Sequence, residues 1–405
     1  MPRKQGSGAS LRFYSNVRAY LDLGFEVEVI QVANEADGSE PDPELRPVTW
    51  TRVIGPARPP SLLGRVAYRA GVPTRSSVEY YFPAHELVGR EVAARLGRAP
   101  GAVHHLEGES HANVAPWLPR GARAVWSLHD LPSTVVSASI KIDCEAQGRG
   151  PTTPERRELR FARRVERFMA RHAPLILCIS DQDRARLRSE WSCERAEYLP
   201  MSIPDEGAVR REGGWMADGK LRLLHLGRVS HLPSYRSLEF LFGRVFPALP
   251  PRLLERLALD VVGRVDQDER ARKILAAAEP YPDVTFRGFV EDVIPYYERS
   301  DVQVVSSTDA AGLRTRIIES FAYGLPVLST TVGAGGIRGV EPGEQLLIAD
   351  SPEEFAQALA SLAESPERLN DLSRKGLDFY AKNQSRAAVA SELSRCLRQY
   401  LGVRA

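Results

Sequence analysis

The chain has 405 residues, of which 43% are hydrophobic and 26% are charged, and its formal net charge is +2. This composition is typical of a globular protein large enough for two domains with separate cores. The net charge argues neither for nor against nucleic-acid binding, but no basic tail or arginine-rich arm is present, and we expect no nucleic-acid partner. No apolar run reaches the roughly 18 residues of a membrane span, and the start lacks the apolar core of a signal peptide. Four scattered cysteines form no CxxC motif, so we expect a cytoplasmic protein with reduced thiols.

The amino-terminal half begins with a polar, glycine-rich stretch. Hydrophobic periodicity then predicts a helix at residues 9–23, a strand at 25–32 and a short strand at 48–53. Two further helices are predicted at 61–69 and 84–96.

Three histidines lie on or next to predicted strands. His104 and His105 are adjacent on a strand at 102–106 and therefore face opposite sides of a sheet, so they cannot both ligate one metal. We interpret one as a core residue and the other as a residue near a binding cleft. His129 follows a strand at 125–128, at the edge where parallel sheets bind ligands. From its position alone, His129 is either structural or a ligand contact.

The region after His129 has no clear period over residues 131–153, and we predict a mobile loop there. An arginine-rich amphipathic helix is predicted at 155–172, and its basic face is either solvated or docked on a membrane surface. A strand at 175–179 and a helix capped by Ser180 follow, before an interdomain linker rich in Pro, Gly and charge at 203–219.

The second half alternates strands with helices, which predicts a parallel, doubly wound sheet. Two of its strands end in a glycine followed by an arginine, at Gly227-Arg228 and Gly263-Arg264. Glycine permits close backbone approach to a ligand, and each arginine stands at a carboxyl strand end. The predicted elements lie at residues 221–226, 234–249, 257–262, 266–278, 284–286, 292–299, 302–306, 352–363, 367–383 and 387–401.

The segment 302–330 combines a buried strand, a turn and a helix, and then resumes a strand. Free amides at such a helix N-terminus attract anions, whereas Arg314 and Arg316 in the first turn oppose the helix dipole. A bound diphosphate would remove that conflict, and Glu319, one turn later, is suited to accept hydrogen bonds from sugar hydroxyls. Alternatively, Arg316 and Glu319 form a surface ion pair worth roughly 0.2–0.5 kcal/mol.

The pattern Gly312-x-Arg314-x-Arg316-x-x-Glu319-Ser-x-Ala-x-Gly-x-Pro-Val-Leu-x-Thr resembles the donor-site signature of retaining nucleotide-sugar glycosyltransferases with the two-domain B-type fold (group 1, family 4-like). Gly335 lies in a segment similar to that family's glycine-rich loop. The resemblance implies an α/β protein of two Rossmann-like, doubly wound parallel-sheet domains facing across a cleft. It places an acceptor-side domain at 1–203, a donor-binding domain at 204–385 and a final helix at 386–405 that packs back on the first domain.

The resemblance also implies roles for individual residues. Arg228, Arg314 or Arg316, and the helix amides after Gly312 neutralise the departing diphosphate, Glu319 holds the ribose, and His129 reaches the transferred sugar. No metal or cofactor is expected. The expected acceptor is a hydroxyl group of a glycan, a lipid-linked molecule or a small molecule. The protein itself is expected to make weak peripheral contact with the inner face of the membrane. The expected catalytic residues are His129, Arg228, Arg316 and Glu319, and the donor-binding residues are Gly8, Gly227, Arg228, Arg264, Gly312, Arg314, Arg316, Glu319 and Gly335.

The chain departs from the family pattern in three places. The loop at residues 6–12 lacks the strand that normally precedes it, which indicates either an upstream start or a missing central strand. Pro233 and Ser234 stand where many members carry a phosphate-binding lysine, for which His231 or Arg236 would substitute. Ala311 replaces a second glutamate. These departures keep open a catalytically inactive partner subunit, beside the less favoured alternative of a nucleotide-sugar epimerase.

Overall fold

The computed structural model describes residues 8–33, 43–45, 47–54, 62–70, 101–108, 121–204, 214–308 and 312–404. The chain divides into two compact units, Met1–Met201 with Arg386–Ala405, and Ser202–Ser385. The first boundary between the units therefore follows residue 201, whereas the sequence placed it after residue 203. The second boundary follows residue 385, as the sequence predicted. The predicted helix at 84–96, Gly6 and Ala311 lie outside the described residues.

The first unit holds two parallel sheets, a four-stranded one of order β3-β4-β5-β6 and a separate pair β1-β2. The strands are β1 (Glu28–Ala33), β2 (Thr49–Ile54), β3 (Val103–Glu107), β4 (Arg123–Leu128), β5 (Leu175–Cys178) and β6 (Ala196–Tyr198). The helices are α1 (Gly8–Asp22), α2 (Leu62–Ala70), α3 (Pro132–Gln147), α4 (Thr153–His172) and α5 (Asp181–Trp191), with a 3-10 turn at Pro43–Leu45.

The four-stranded sheet is covered on both faces, because successive residues of β4 point to opposite sides. Trp126 packs with Phe161 and Val165 of α4 in one buried cluster. Val125 packs on the other side with Tyr20 of α1. Full burial of each such aliphatic or aromatic side chain contributes about 1.5–3 kcal/mol, so this sheet is the core of the first unit.

Helix α3 corrects the sequence prediction, which placed a mobile loop over residues 131–153. Pro132 opens the helix in its first turn, and Gly148 closes it in the left-handed conformation, with φ 58°. Val136 and Ile140 pack on Ala162 of α4. The helix was missed because its β-branched residues lower helix propensity and its amphipathic pattern is weak.

The second unit is a six-stranded parallel sheet of order β12-β11-β10-β7-β8-β9. The predicted alternation of strands and helices is therefore confirmed. The strands are β7 (Leu221–Leu226), β8 (Leu257–Val262), β9 (Val284–Gly288), β10 (Val302–Val305), β11 (Val327–Ser329) and β12 (Leu347–Ile348). The helices are α6 (Leu232–Phe240), which continues through a π-helical turn at Leu241–Val245 to Phe246–Ala248, α7 (Pro251–Leu254), α8 (Glu269–Ala278), α9 (Ile294–Arg299), α10 (Thr315–Ala322), α11 (Thr331–Ala334), α12 (Pro352–Glu364) and α13 (Pro366–Asn383).

The last helix, α14 (Arg386–Leu401), belongs to the first unit. Val389 and Leu393 are fully buried in the cluster that contains Val125 of β4 and Tyr20 of α1. Arg386 adds an ion pair to Asp22 at the end of α1, with a nitrogen–oxygen distance of 2.7 Å. Both ends of the chain therefore build one unit.

Candidate functional site

The strand order of the second unit locates its ligand-binding edge. The chain proceeds from β7 outward through β8 to β9, then returns to the other side of β7 and proceeds through β10 to β12. Ligands of open α/β sheets bind at such a reversal, outside the carboxyl ends of the strands. The turns that follow β7 and β10 meet there, and together with α10 they carry most of the predicted donor-binding residues.

Two glycines after β7 and β8 are required by close packing. Gly227 has φ +149°, and a Cβ there would lie 2.0 Å from Oγ of Ser234 and 3.4 Å from Nη2 of Arg316. Gly263 has φ +148°, and its Cβ would lie 2.1 Å from the carbonyl oxygen of Gly227. Neither position accepts an L side chain without movement of backbone or neighbours. The glycines thus bring Ser234 and Arg316 close to the end of β7.

Arg316 lies in the first turn of α10 and is partly buried. Burial, together with the positive charge of Arg314, lowers the pKa of Arg316 to about 10, while the charge of Glu319 acts in the opposite direction. In the part of the chain that the structure describes, Arg316 and Glu319 form no direct ion pair, contrary to the surface-pair alternative. Arg316 is therefore a desolvated cation beside Gly227, an arrangement that favours an incoming anion.

Arg314 takes a different position from the one predicted. It is the N-cap residue of α10 rather than part of its first turn, with φ −86° and ψ 87°. Its buried side chain turns back, so that Nε donates to Oγ of Ser307 at 3.1 Å and Nη1 donates to the Gly312 carbonyl at 3.3 Å. Arg314 thus holds the turn after β10, in which Gly312 has φ +69°.

Glu319 is held by a tyrosine that sequence reasoning missed. The hydroxyl of the fully buried Tyr297 in α9 donates to Oε2 of Glu319 at 2.8 Å. Burial raises the pKa of Glu319, while the Tyr297 hydrogen bond and the charge of Arg316 oppose that rise. Burial and the Glu319 carboxylate together raise the pKa of Tyr297 well above its usual range, so Tyr297 remains a donor. One carboxylate oxygen is thereby fixed by the protein.

The two predicted strand-end arginines differ in their surroundings. Arg228 forms a two-pronged pair with Asp266, from Nε to Oδ2 at 2.7 Å and from Nη2 to Oδ1 at 2.9 Å. The Arg228 hydrogen bond and charge lower the pKa of Asp266. Arg264 is exposed to solvent. Arg228 is therefore oriented by a carboxylate, whereas the Arg264 side chain stands in water.

Two buried polar groups near Gly227 lack hydrogen-bond partners within the described ranges. They are the hydroxyl of Ser234, in the first turn of α6, and both ring nitrogens of His225 on β7. Both side chains are fully buried. Burial, with the charge of Arg316, lowers the pKa of His225 to about 3, so its ring is neutral. Unsatisfied buried groups each cost about 1–3 kcal/mol, so Ser234 and His225 lower the stability of the sheet beneath this edge.

His129 follows β4 in the first unit and is bound to a carboxylate that was also missed. Its Nε2 donates to Oε1 of Glu107 at 2.6 Å. The other oxygen of Glu107 accepts from Nδ2 of Asn16 at 2.6 Å and from Nε2 of His105 at 3.0 Å. His105 therefore belongs to a polar network, and His104, whose pKa is lowered by burial, lies on the opposite face of β3.

Glu107 stays ionised in these surroundings. Burial alone would raise its pKa, but hydrogen bonds from His105 and His129 and the charges of both rings hold the pKa of Glu107 well below its ordinary value. A sequence signal existed for this cluster. His105 and Glu107 are two residues apart on β3, and Glu107 pairs in register with Ser127, two residues before His129. Residues two apart share a face of a strand.

The remaining predicted positions have plain structural settings. Gly8 is the first residue of α1. Gly335 caps α11, so the expected glycine-rich loop is in part a short helix, Thr331–Ala334, with the Thr330 hydroxyl accepting from the Gly333 amide at 2.9 Å.

Among the residues that the structure describes, no group of three or more His, Cys, Asp or Glu is arranged to hold a metal ion. No helix in those ranges is long and apolar enough to cross a membrane.

Comparison with protein families gives two matches. Residues 220–365 match the family described as "Glycosyl transferases group 1", and residues 7–202 match "Glycosyl transferase 4-like domain". An uncharacterized glycosyltransferase of Haemophilus influenzae is 28% identical over 149 residues, which cover 36% of this chain and 41% of the relative. A D-inositol 3-phosphate glycosyltransferase of Catenulispora acidiphila is 26% identical over 203 residues, covering 43% and 46%. The chain thus spans less than half the length of these curated relatives.

Solved structures confirm the predicted fold class. Anabaena HepE in complex with UDP matches with a TM-score of 0.67 and 14% identity, covering 98% of both chains. Sucrose-phosphate synthase from Thermosynechococcus elongatus matches with a TM-score of 0.69 and 19% identity, covering 98% of this chain and 94% of the other. WaaG, a glycosyltransferase involved in lipopolysaccharide biosynthesis, matches with a TM-score of 0.55 and 17% identity, covering 96% and 95%. Each unit is therefore a Rossmann-like domain of the B-type fold.

Proposed function

The chain belongs to the group 1 glycosyltransferases, and we propose that it transfers a sugar from a nucleotide-sugar donor to an acceptor hydroxyl with retention of anomeric configuration. The observation that carries this proposal is the setting of Arg316. Its guanidinium is partly buried beside Gly227, carries a lowered pKa and has no direct ion pair with Glu319. A desolvated cation without a directly paired carboxylate is costly, and a diphosphate group would offset that cost with charge-assisted hydrogen bonds.

The groups around Arg316 support a nucleoside diphosphate as the anion. The N-terminal amides of α10 lie at the carboxyl edge of the sheet and are donors suited to phosphate oxygens. Glu319, one turn further along α10, is suited to accept hydrogen bonds from the two ribose hydroxyls. Its second oxygen is already fixed by Tyr297, which reduces the entropy lost when the ribose binds.

Arg228 completes the proposed donor site. Its pair with Asp266 holds the guanidinium at the carboxyl end of β7. The guanidinium has five N–H donors, and Asp266 accepts from two of its nitrogens, Nε and Nη2. A phosphate oxygen would accept a hydrogen bond from the remaining, exposed donors. Pro233 and Ser234, at the place of the family lysine, carry no positive charge, so a further cation in this site would come from His231 or Arg236.

The reaction we propose needs no protein base. The bond from the anomeric carbon to the diphosphate breaks, and its electron pair passes to the leaving phosphate, whose growing charge Arg316 and Arg228 stabilise. The acceptor oxygen then bonds to the same face of that carbon, and its proton passes to a leaving phosphate oxygen. His129 would contact the transferred sugar. We also propose that no metal takes part, and that the acceptor is a glycan, lipid-linked or small-molecule hydroxyl.

A panel of nucleotide sugars tests this function. UDP-glucose comes first, because the similar HepE structure was solved in complex with it. We expect one donor to raise the melting temperature of the protein, since a ligand at 100 times its dissociation constant stabilises by about 2.7 kcal/mol. That donor should also release free nucleotide with retention at the anomeric centre, read by NMR of the product. Failure of every donor to bind would overturn the proposal.

A catalytically inactive partner subunit is the second candidate. The Arg228–Asp266 pair favours it, because a carboxylate beside the diphosphate position weakens anion binding. The two candidates separate in the donor panel. A partner subunit would bind at most the nucleotide and release none from any donor, whatever acceptor is added.

A further inference from the structure

We propose that His231 supplies the further positive charge of the donor site, and that it takes up a proton when the diphosphate of a nucleotide sugar binds. This inference rests on the proposed function, in which that diphosphate lies beside Arg316 and Arg228. It adds to that function a coupling between nucleotide binding and one proton. All the residues involved belong to the second unit.

The start of α6 brings His231 to the end of β7. His231 is the N-cap residue of α6, with φ −67° and ψ 126°. An N-cap side chain lies beside the first turn of its helix, close to the residue three positions later, which here is Ser234. The Ser234 hydroxyl lies against Gly227, and Nη2 of Arg316 adjoins the same glycine. His231 therefore stands among the residues around the end of β7, and its electrostatic interaction with Arg316 and Arg228 agrees with this placement.

The imidazole of His231 is not used to hold the helix. It makes no capping hydrogen bond, although the N-cap position favours side chains that do. The backbone fixes the turn instead, since the His231 amide donates to the Arg228 carbonyl at 3.0 Å and the His231 carbonyl accepts from the Tyr235 amide at 2.8 Å. The residue is exposed, so an anion can reach its ring.

Arg236, the other cation near this turn, has a different setting. It follows Ser234 by two residues, and successive residues of a helix are about 100° apart, so the two side chains lie on nearly opposite sides of α6. Nη1 of Arg236 donates to Oε2 of Glu239 at 2.9 Å. Arg236 is therefore paired within its own helix and directed away from Gly227, which leaves His231 as the residue that takes the place of the lysine.

Positive charge dominates the surroundings of His231. The guanidinium groups that act on its ring come from the turn after β7, from α8 and from the start of α10: Arg316, Arg314, Arg228 and Arg270. Desolvation, and next these charges, lower the pKa of His231 below its ordinary value, so the ring is neutral at pH 7 in the free protein. The carboxylates of Asp266 and Asp268 lie on the same side, where Arg228 and the Ser230 hydroxyl hold them.

A bound diphosphate would reverse this balance. Its negative charges offset those of the arginines and favour the charged form of the ring, because a nearby opposite charge raises the pKa of a histidine. The imidazolium would then donate a charge-assisted hydrogen bond to a phosphate oxygen, as a lysine would. Since the pKa of His231 is higher in the complex than in the free protein, binding takes up a proton and becomes weaker as the pH rises.

Calorimetric titration with UDP-glucose at pH 6, 7 and 8 tests this coupling, and a nucleoside-diphosphate sugar that binds more tightly in the donor panel replaces it. A diphosphate esterified at both ends lacks the second phosphate pKa of about 6, so the ligand itself does not titrate in this range. We expect the affinity to be roughly 5- to 30-fold lower at pH 8 than at pH 6, within the limit of tenfold per pH unit for one linked proton. Titrations in buffers of different ionisation enthalpy should show uptake of up to one proton.

Three variants identify the group that takes up the proton. His231→Asn keeps a favourable N-cap residue without a charge, so at pH 6 it should bind as weakly as the wild type does at pH 8, without proton uptake. His231→Lys carries a charge throughout this range and should bind at pH 8 about as tightly as the wild type does at pH 6. Arg236→Gln should retain the affinity and the pH dependence of the wild type.

The outcomes separate this inference from the proposed function. Equal pH dependence in the wild type and a folded His231→Asn protein would overturn the inference, as would wild-type binding without proton uptake. Weaker binding of Arg236→Gln at every pH would assign the charge to Arg236 instead. Should His231→Asn not fold, His231→Lys still decides, because a merely structural histidine gives no tighter binding at pH 8 when it is replaced by lysine. Failure of every nucleotide sugar to bind the wild type would refute the proposed function itself.

Discussion

Arg316 and Glu319 lie one turn apart on α10, yet the protein gives them different partners. Glu319 accepts from Tyr297, while the guanidinium of Arg316 stands beside Gly227. An ion pair between them would have neutralised both charges and left little driving force for a ligand. Their separate environments leave one cation and one carboxylate that do not neutralise each other, as the proposed binding of phosphate by Arg316 and of ribose hydroxyls by Glu319 requires.

The Glu319→Gln and Arg316→Ala variants test that division. Glu319→Gln loses charge-assisted hydrogen bonds worth roughly 1.5–3 kcal/mol, so nucleotide affinity should fall about 10- to 150-fold. Arg316→Ala should in addition slow the chemical step, because charge on the leaving group grows in the transition state. Calorimetric titration of the nucleotide measures the first effect, and single-turnover kinetics the second.

Tyr297→Phe is the matched control for that experiment. It removes the hydroxyl that holds Oε2 but leaves the Glu319 carboxylate charged, so its loss of affinity should be smaller than that of Glu319→Gln. Circular dichroism checks folding of all three variants. Unchanged nucleotide affinity in a folded Glu319→Gln protein would contradict the ribose role. A loss of binding free energy under about 0.5 kcal/mol would contradict it as well, because a side chain that forms only a surface ion pair contributes no more than that.

Asp183, at the start of α5, makes stability depend on pH. Burial and the nearby negative charge of Asp130 raise the pKa of Asp183 to about 7, although Arg186 acts against them. The folded state therefore keeps a proton that the unfolded state, with a pKa of about 3.9, releases. Stability from this group is complete below about pH 4 and is lost as the pH rises through about 7. The first unit should be less stable at pH 8 than at pH 5.

Asp183→Asn mimics the protonated side chain at every pH. We expect this variant to exceed the wild type in stability at pH 8, on the order of 1–4 kcal/mol, and to differ less at pH 5. Calorimetric melting at the two pH values measures the difference, and hydrogen exchange of the α5 amides assigns it to the first unit. An offset equal at both pH values would show that Asp183 is ionised in the folded protein.

At the scale of elements, strong periodicity predicted most of the second unit, and β7 and β8 have the predicted bounds. Helix α3 was missed because its signals are local, a proline at its start and a left-handed glycine at its end, while its apolar face becomes evident only against α4. The Tyr297–Glu319 and Glu107–His129 contacts were missed for a related reason. They join residues 22 apart in the chain in each case, and strand order decides whether such residues meet.

Gly263 at the end of β8 tests the close packing beneath the proposed phosphate site. An alanine Cβ would lie 2.1 Å from the Gly227 carbonyl oxygen at a φ of +148°, so backbone must move. We expect Gly263→Ala to destabilise the protein by on the order of 1–3 kcal/mol or more and to weaken nucleotide binding. Gly243→Ala is the control, because nothing lies within 4 Å of its Cβ position. Denaturant unfolding should show the control unchanged or slightly stabilised, and equal effects would contradict this packing.

At the scale of the molecule, alternating strands and helices predict parallel sheets but leave the order of the strands open. In the observed order, β12-β11-β10-β7-β8-β9, strands β7 and β10 are neighbours. Their adjacency brings Gly227 and Ser234 near Arg316 and Glu319, although the two pairs of residues are far apart in the sequence. The family resemblance implied a doubly wound parallel sheet for this unit, without an order of its strands. The first unit, with β1 and β2 as a separate pair, was less predictable, and its residues 71–100 lie outside the described ranges.

Metal independence is the prediction that concerns the whole enzyme. Magnesium-dependent transferases bind the diphosphate through a cation held by carboxylates, which suits hard oxygen ligands. In the donor site we propose, Arg316, Arg228 and the amides of α10 would carry the same charge, and guanidinium hydrogen bonds to phosphate need no bridging ion. Turnover with the donor identified in the panel should therefore persist in EDTA nearly unchanged, measured as nucleotide release. The control is addition of excess magnesium or manganese, which should not raise the rate. Loss of turnover in EDTA with recovery in manganese would mean that the diphosphate binds elsewhere, and that Arg316 serves another ligand.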